Sequence, residues 1–206
     1  MIMEYPSPEL PKEPSAQPCR KLLESGSRAY PARENAGGIH LRLLIAQMFV
    51  GFLPAFVANR LRIIALRAAG FRIGQGTIMW GMPTITGSGN IQQLLSIGND
   101  CGFNVGFFLD LNAPITIGNH VGVGHDVMIL TSTYETGSGC QRAGRVVHAP
   151  VVIEDGAWLG ARCTIMPGVT VGAGSVIGAT MVVSKDVPPN TLVLGPQKIS
   201  LAKWRS

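Results

Sequence analysis

From Ile73 onward a bulky apolar residue returns every sixth position. The series runs Ile73, Met79, Ile85, Ile91, Ile97, Phe103 and Leu109, then after a two-residue slip Ile117, Val123 and Ile129, and after a longer break Ile153, Leu159, Ile165, Val171, Ile177 and Val183. No polar residue intrudes. A helix repeats near 3.6 and a half-buried strand near 2, so a sustained period of six predicts a parallel β-helix built from hexapeptides. Small or turn-forming residues often follow the apolar one, as in Ile97-Gly98-Asn99-Asp100, Ile117-Gly118-Asn119-His120, Ile153-Glu154-Asp155-Gly156 and Val171-Gly172-Ala173-Gly174, and suit the corner between short strands. The fifth position of many hexads is also small (Thr77, Ala113, Thr133, Ala157, Cys163, Ser175), with Leu95, Phe107 and Met181 as larger exceptions. Three hexads close one coil, which predicts about five coils stacked at ~4.8 Å.

The flanks break the period. Residues 1–38 hold six prolines and little periodicity and read as a flexible N-terminal arm. From about Ile39 the pattern turns helical, with Leu43, Leu44, Met48, Phe52, Phe56, Leu61, Ile64 and Leu66 beside Arg42, Arg60, Arg62 and Arg67. Pro54 should kink or split this stretch and Gly70 should stop it, giving a helical cap over 39–72. Its apolar core, Leu43–Ala58, is sixteen residues long and interrupted by Gln47 and Pro54, short of the roughly twenty a bilayer span needs. The first expectation is a helix covering the first coil; the alternative is peripheral membrane contact, with the arginines toward anionic lipid. The β-helix is assigned to 73–188, with a loop at 135–152, and 189–206 to a C-terminal cap and tail.

Composition narrows the picture. The chain has 206 residues, 46% hydrophobic and 14% charged, with 26 glycines, which fits a turn-dense solenoid. A net charge of +5 without any Lys/Arg run suits a basic site for a phosphorylated ligand and argues against a nucleic-acid surface. Cys19, Cys101, Cys140 and Cys163 lack metal-ligand spacing and the first twenty residues are proline-rich and polar rather than leader-like, so a cytoplasmic location is expected. The excursion Glu135–Val152 contains Gly137, Gly139, Cys140, Arg142, Gly144, Arg145 and His148. Long breaks in an otherwise regular solenoid are where ligand contacts gather.

The hexads Ile117-Gly118-Asn119, Trp158-Leu159-Gly160-Ala161, Pro167-Gly168-Val169-Thr170-Val171-Gly172 and Ser184-Lys185-Asp186-Val187-Pro188 resemble those of the hexapeptide-repeat acyltransferases. The likeness is strongest to the O-acetyltransferases of maltose, galactosides, nodulation oligosaccharides and bacterial surface polysaccharides. It spans Ile73 to Gly195. The resemblance implies a left-handed parallel β-helix, a homotrimer with active sites between neighbouring prisms, and transfer of an acetyl group from acetyl-CoA to a hydroxyl of a sugar or glycan, with no metal required. The location expected from the cysteines and the helical cap is the cytoplasm, or the inner face of the membrane if the cap meets it.

In that family a histidine just before the loop takes the proton from the attacking hydroxyl. Counted from the Ile117-Gly118 hexad, its position here falls on Tyr134. Phenol titrates near 10 and loss of a general base costs about 10²–10⁴ in rate, so a catalytically silent member that still binds CoA or glycan is a second reading. His125 and His148 are the other imidazoles that could act, while His120 reads as a solvent-facing corner residue. Asp110 and Asn112 fall where the family places acceptor contacts, and ordinary turn-capping explains them equally well. Ala161 and Ala179 match backbone contacts to the pantetheine arm, and Ser184 and Lys185 the nucleotide end. Arg142, Arg145 and Arg162 could add positive potential there. The family's Gly-x-Pro-Ala near the end is here Gly195-Pro196-Gln197, one residue short. Trp158 is expected to pack at a coil corner or subunit interface. The spacing of His120 and His125 invites a zinc carbonic anhydrase on the same prism, but such chemistry needs a third histidine.

Overall fold

The computed structural model describes residues 40–195 and 197–200. The N-terminal arm, Cys19 and the last six residues of the tail lie outside that range. Among the described residues two short helices come first, α1 (Leu41–Val50) and α2 (Asn59–Ala68), divided around Pro54 as its missing N–H requires. A parallel β-solenoid of five coils follows.

Three faces make the solenoid. Face A stacks β1 (Arg72–Ile73), β4 (Leu95–Ile97), β7 (Ile115–Ile117), β12 (Val151–Ile153) and β15 (Thr170–Val171). Face B stacks β2 (Ile78–Met79), β5 (Gly102–Phe103), β8 (Gly122–Val123), β13 (Trp158–Leu159) and β16 (Val176–Ile177). Face C stacks β3 (Thr84–Gly87), β6 (Phe108–Leu111), β9 (Met128–Ile129), β14 (Thr164–Ile165) and β17 (Val182–Val183). The hexad residues fall in register between coils: Ile73 opposite Ile97, Ile97 opposite Ile117, Ile117 opposite Ile153, and Ile153 opposite Val171. Nearly all point inward and are buried, Ile85 only partly, and with the small or apolar fifth positions they fill the axis.

One hexad departs from the sequence reading. Ile91 lies in a short 3₁₀ helix, Ile91–Gln93, not in a strand. The first coil is therefore one hexad longer than a three-hexad turn, and Ile85 pairs with Leu109 across that insertion. Ile91 is nonetheless fully buried, which is why it keeps the apolar pattern. The C-terminal region also departs from the expected closing loop: β18 (Thr191–Leu194) adds to face B beside β16, and β19 (Gln197–Ser200) runs antiparallel to it.

The corners differ in kind. Between faces A and B, and between B and C, every coil turns in four residues. The A–B corner carries a side-chain ladder in which the backbone N–H of Gln75 donates to Asn99 Oδ1 (2.8 Å), that of Asn99 to Asn119 Oδ1 (2.9 Å), and that of Asn119 to Asp155 Oδ1 (2.8 Å). This is the physical use of the Gly-Asn pairs in the hexads. The bonds from Asn119 hold the Asp155 carboxyl below its ordinary range. Every A–B turn leaves one residue in the left-handed region (Gly76, Asp100, His120, Gly156 and Gly174), and four of the B–C turns do so at Gly106, Asp126, Arg162 and Thr180. All the length variation falls at the third corner, from C back to A, where the chain spends residues 88–94, 112–114, 130–150 and 166–169 on successive coils.

The helices close the first coil. α2 packs on β1 and β2, and Arg67 donates from Nε to the carbonyl of Ile73 (3.0 Å) and from Nη2 to that of Gly74 (2.5 Å). Arg62, fully buried, donates to the carbonyls of Leu53 (2.9 Å), Pro54 (2.6 Å) and Val57 (2.6 Å), so one guanidinium pins the connection between the helices. Residues 134–146 form a separate compact unit. There the strands β10 (Ser132–Thr136) and β11 (Ala143–His148) pair as a hairpin, and Glu135 meets Arg145 at 2.8 Å. That arginine holds the Glu135 carboxyl below its ordinary range.

Candidate active site

The C–A corner gathers the polar residues. Asp110, at the end of β6, is buried, and its Oδ2 accepts from the Thr131 N–H of the next coil at 3.2 Å. Its Oδ1 accepts from Asn112 Nδ2 at 2.5 Å, and Asn112 Oδ1 accepts from Ser88 Oγ of the preceding coil at 3.0 Å. Thr131 organises this group: its hydroxyl donates to the Asp110 carbonyl (2.6 Å) and accepts from the N–H groups of Asn112 (3.2 Å) and Ala113 (3.0 Å). Both Asp110 carboxyl oxygens are thus met by donors of neighbouring residues, and the buried group is held in one orientation.

His148 belongs to the same corner. Its Nδ1 lies 3.1 Å from Ser132 Oγ, one residue along from Thr131, and the Ala149 N–H donates to the Thr131 carbonyl at 2.9 Å. The ring is exposed. Asp110, Asn112 and His148, distant in sequence, are thus linked through Thr131 and Ser132, neither of which the sequence reading singled out. The signal was slight: polar Thr131 and Ser132 directly after the buried Ile129 and half-buried Leu130.

His125 does not join them. It sits exposed in the four-residue B–C turn between β8 and β9, on the other edge of face C. Ala161 and Ala179 occupy that same B–C corner on the next two coils, stitched together by Arg162 N–H to His125 O (2.7 Å) and Thr180 N–H to Ala161 O (2.8 Å). Arg162 is not a spare cation there, because its Nε lies 3.4 Å from Asp126 Oδ2. Ser184 and Lys185 stand exposed just after β17, at the C–A corner of the last coil. His120 lies at the A–B corner, so the spacing that suggested zinc brings its two histidines to different edges. Among the described residues no group of three or more His, Cys, Asp or Glu side chains could hold a metal ion.

Tyr134 belongs to the separate unit and is half exposed. Trp158 projects outward from face B, with its ring lying against Gly122 of the preceding coil and half its surface exposed. Cys101 and Cys163 are buried free thiols, and burial pushes Cys163 up to about 12, so neither is a nucleophile at neutral pH.

Residues 150–183 match the bacterial transferase hexapeptide family (six repeats). Over 107 residues the chain is 44% identical to a candidate acetyltransferase of Schizosaccharomyces pombe, covering 47% of this chain and 51% of that protein. It is 36% identical over 104 residues to a galactoside O-acetyltransferase of Lactococcus lactis, covering 48% of this chain and 50% of that one. The chain thus spans about half the length of the curated relatives it matches. Among solved structures it resembles a hexapeptide-repeat acetyltransferase of Vibrio cholerae complexed with acetyl coenzyme A, with a TM-score of 0.66 and 27% identity over 79% of this chain and 85% of that one. A maltose O-acetyltransferase of Clostridium difficile gives a TM-score of 0.53 and 26% identity, over 77% and 82% of the two chains. Hexads in register on three faces, a polar cluster where the coils lengthen, and these likenesses together make the chain similar to the hexapeptide-repeat acetyltransferases.

Proposed function

We propose that the protein transfers the acetyl group of acetyl-CoA to a hydroxyl of a sugar or glycan. The observation that carries this reading is the Asp110–Thr131–Asn112 cluster at one edge of face C, with Ala161 and Ala179 stacked along the other. The first suits an acceptor rich in hydroxyls. The second suits a long linear arm lying across successive coils, and the Vibrio cholerae relative was solved with acetyl coenzyme A. Because the two groups stand on opposite edges of a single face, one reaction centre using both takes a second copy of the chain. A homotrimer meets that need, and the exposed Trp158 on face B offers it apolar surface.

In the reaction an acceptor oxygen attacks the thioester carbonyl, its proton passes to a base, and the C–S bond breaks to release CoA as the thiol. His148 is assigned as base, supported by its tie through Ser132 to the acceptor cluster. Imidazole titrates in the range the step needs. By the hexad count Tyr134 stands where the resemblance places the family's histidine, and on that count a second reading has CoA and glycan bind while transfer is slow.

The test is thiol release from acetyl-CoA against a panel of sugars, for the wild type, His148→Ala and Tyr134→His. Transfer through His148 predicts measurable wild-type turnover that falls about 10²–10⁴-fold in H148A. A rise of similar size in Y134H from a near-silent wild type supports the second reading. Release by neither the wild type nor Y134H with any sugar overturns sugar O-acetylation.

A further inference from the structure

The helical cap breaks the usual rule for a surface helix. α1 buries Leu43, Ala46 and Val50 toward the rest of the fold, so its opposite side should be polar. Instead that side carries Leu41, Leu44, Ile45, Met48 and Phe49, and the apolar surface continues through Phe52 and Phe56 to Leu61 and Ile64 on α2. Met48, Phe49 and Phe52 are 77%, 72% and 75% exposed. Single exposed apolar residues are ordinary; ten large ones between residues 41 and 64 form a patch that needs an occupant.

Charge decides which occupant. From residue 35 to residue 99 the chain has no Asp or Glu, while Arg42, Arg60, Arg62, Arg67 and Arg72 fall within it. Arg62 is buried, and the other four are exposed. Arg42 lines a groove of about 790 Å³ together with Ile45, Phe49, Leu61 and Ile64 of the two helices. A second copy of the same face would set these arginines against each other, with no carboxylate from residues 35–99 to pair them. An anionic lipid surface satisfies both properties, since its acyl region takes the apolar side chains and its headgroups take the arginines. No helix among the described residues is long and apolar enough to cross a membrane, so contact would be with one leaflet.

We infer that the face formed by α1, α2 and their connection docks the protein on an anionic bilayer surface. This does not depend on acetyl transfer and is tested without it. The full chain is sedimented with phosphatidylcholine vesicles, with and without phosphatidylglycerol, at low and high salt. The expected result is binding to the anionic vesicles that weakens with salt. Phe49→Ser with Phe52→Ser should lower it more than tenfold, since each Phe loses the gain of entering an apolar medium. Arg42→Gln with Arg60→Gln should lower it roughly fivefold for each arginine, and only on the anionic vesicles. All four side chains are exposed, so circular dichroism should match the wild type. Absence of sedimentation with anionic vesicles overturns the inference, and so does wild-type binding by F49S/F52S. A lower oligomer mass for F49S/F52S without lipid, with no vesicle binding by the wild type, would reassign the face to contact between copies.

Discussion

Thr131→Val tests whether the C–A corner is built as described. The substitution keeps the volume and the branching and removes only the hydroxyl. That hydroxyl donates to the Asp110 carbonyl at 2.6 Å and accepts from the N–H groups of Asn112 and Ala113 at 3.2 and 3.0 Å. Thr131 is fully buried and Ala113 nearly so, so water cannot readily replace the lost partners. Three polar groups left without a partner cost about 1–3 kcal/mol each, which after partial relaxation predicts a loss of about 3–5 kcal/mol. Urea unfolding followed by tryptophan fluorescence, at one fixed protein concentration, measures it as a lower midpoint with unchanged slope. Thr131→Ser keeps the oxygen and should recover most of the loss. Thr116→Val, on the exposed side of face A, should be neutral. The reasoning fails if T131V unfolds within about 0.5 kcal/mol of the wild type, the ordinary scatter of surface changes.

Other expectations follow from the same geometry. Arg62→Met strips three carbonyls of their donor and should destabilise by about 3 kcal/mol, with proteolysis or hydrogen exchange rising first in the 51–58 connection. Gly160→Ala would set a methyl carbon 2.7 Å from the Ala179 nitrogen and the Ile177 oxygen, both backbone; a loss of about 1–3 kcal/mol is expected from thermal melts. Cys163 is held protonated by burial in the fold, with its pKa pushed up to about 12. Its contribution is therefore complete below the unfolded thiol's pKa and declines as pH rises toward 12. Between those limits the wild type should lose up to about 1.4 kcal/mol per pH unit more than Cys163→Ala does. Equal slopes for the two would show that the buried thiol does not govern alkaline unfolding.

Much of the fold was legible because period and burial coincide. Ile97, Ile117, Ile153 and Val171 fall in the hexad register and stack on face A as the sixfold spacing requires. Ile91 shows the limit of that signal, because an apolar side chain six residues from its neighbour fits the register whether it sits on a strand or in a 3₁₀ turn. The site was legible only in pieces. Asp110 and Asn112 could be named from local sequence, but their tie to His148 runs through Thr131 and Ser132, and only the return of the chain after a twenty-one-residue interval, 130–150, brings that about. Arg62 read as one of several arginines flanking an apolar helix. Its burial depends on carbonyls that the bend around Pro54 turns inward, and no residue pattern announces them.

The confinement of every change in coil length to a single corner has a consequence for how such a protein can diversify. Two corners are locked at four residues on all five coils and set the pitch of the whole stack. The third can absorb three residues or twenty-one without disturbing strand register on any face. The edge that carries Asp110 and His148 is thus free to be rewritten while the edge that carries Ala161 and Ala179 stays fixed. On the proposed reading, a graft of another solenoid's insertion in place of residues 134–146, which spares Thr131, Ser132 and His148, should therefore change the acceptor accepted while leaving the donor unchanged.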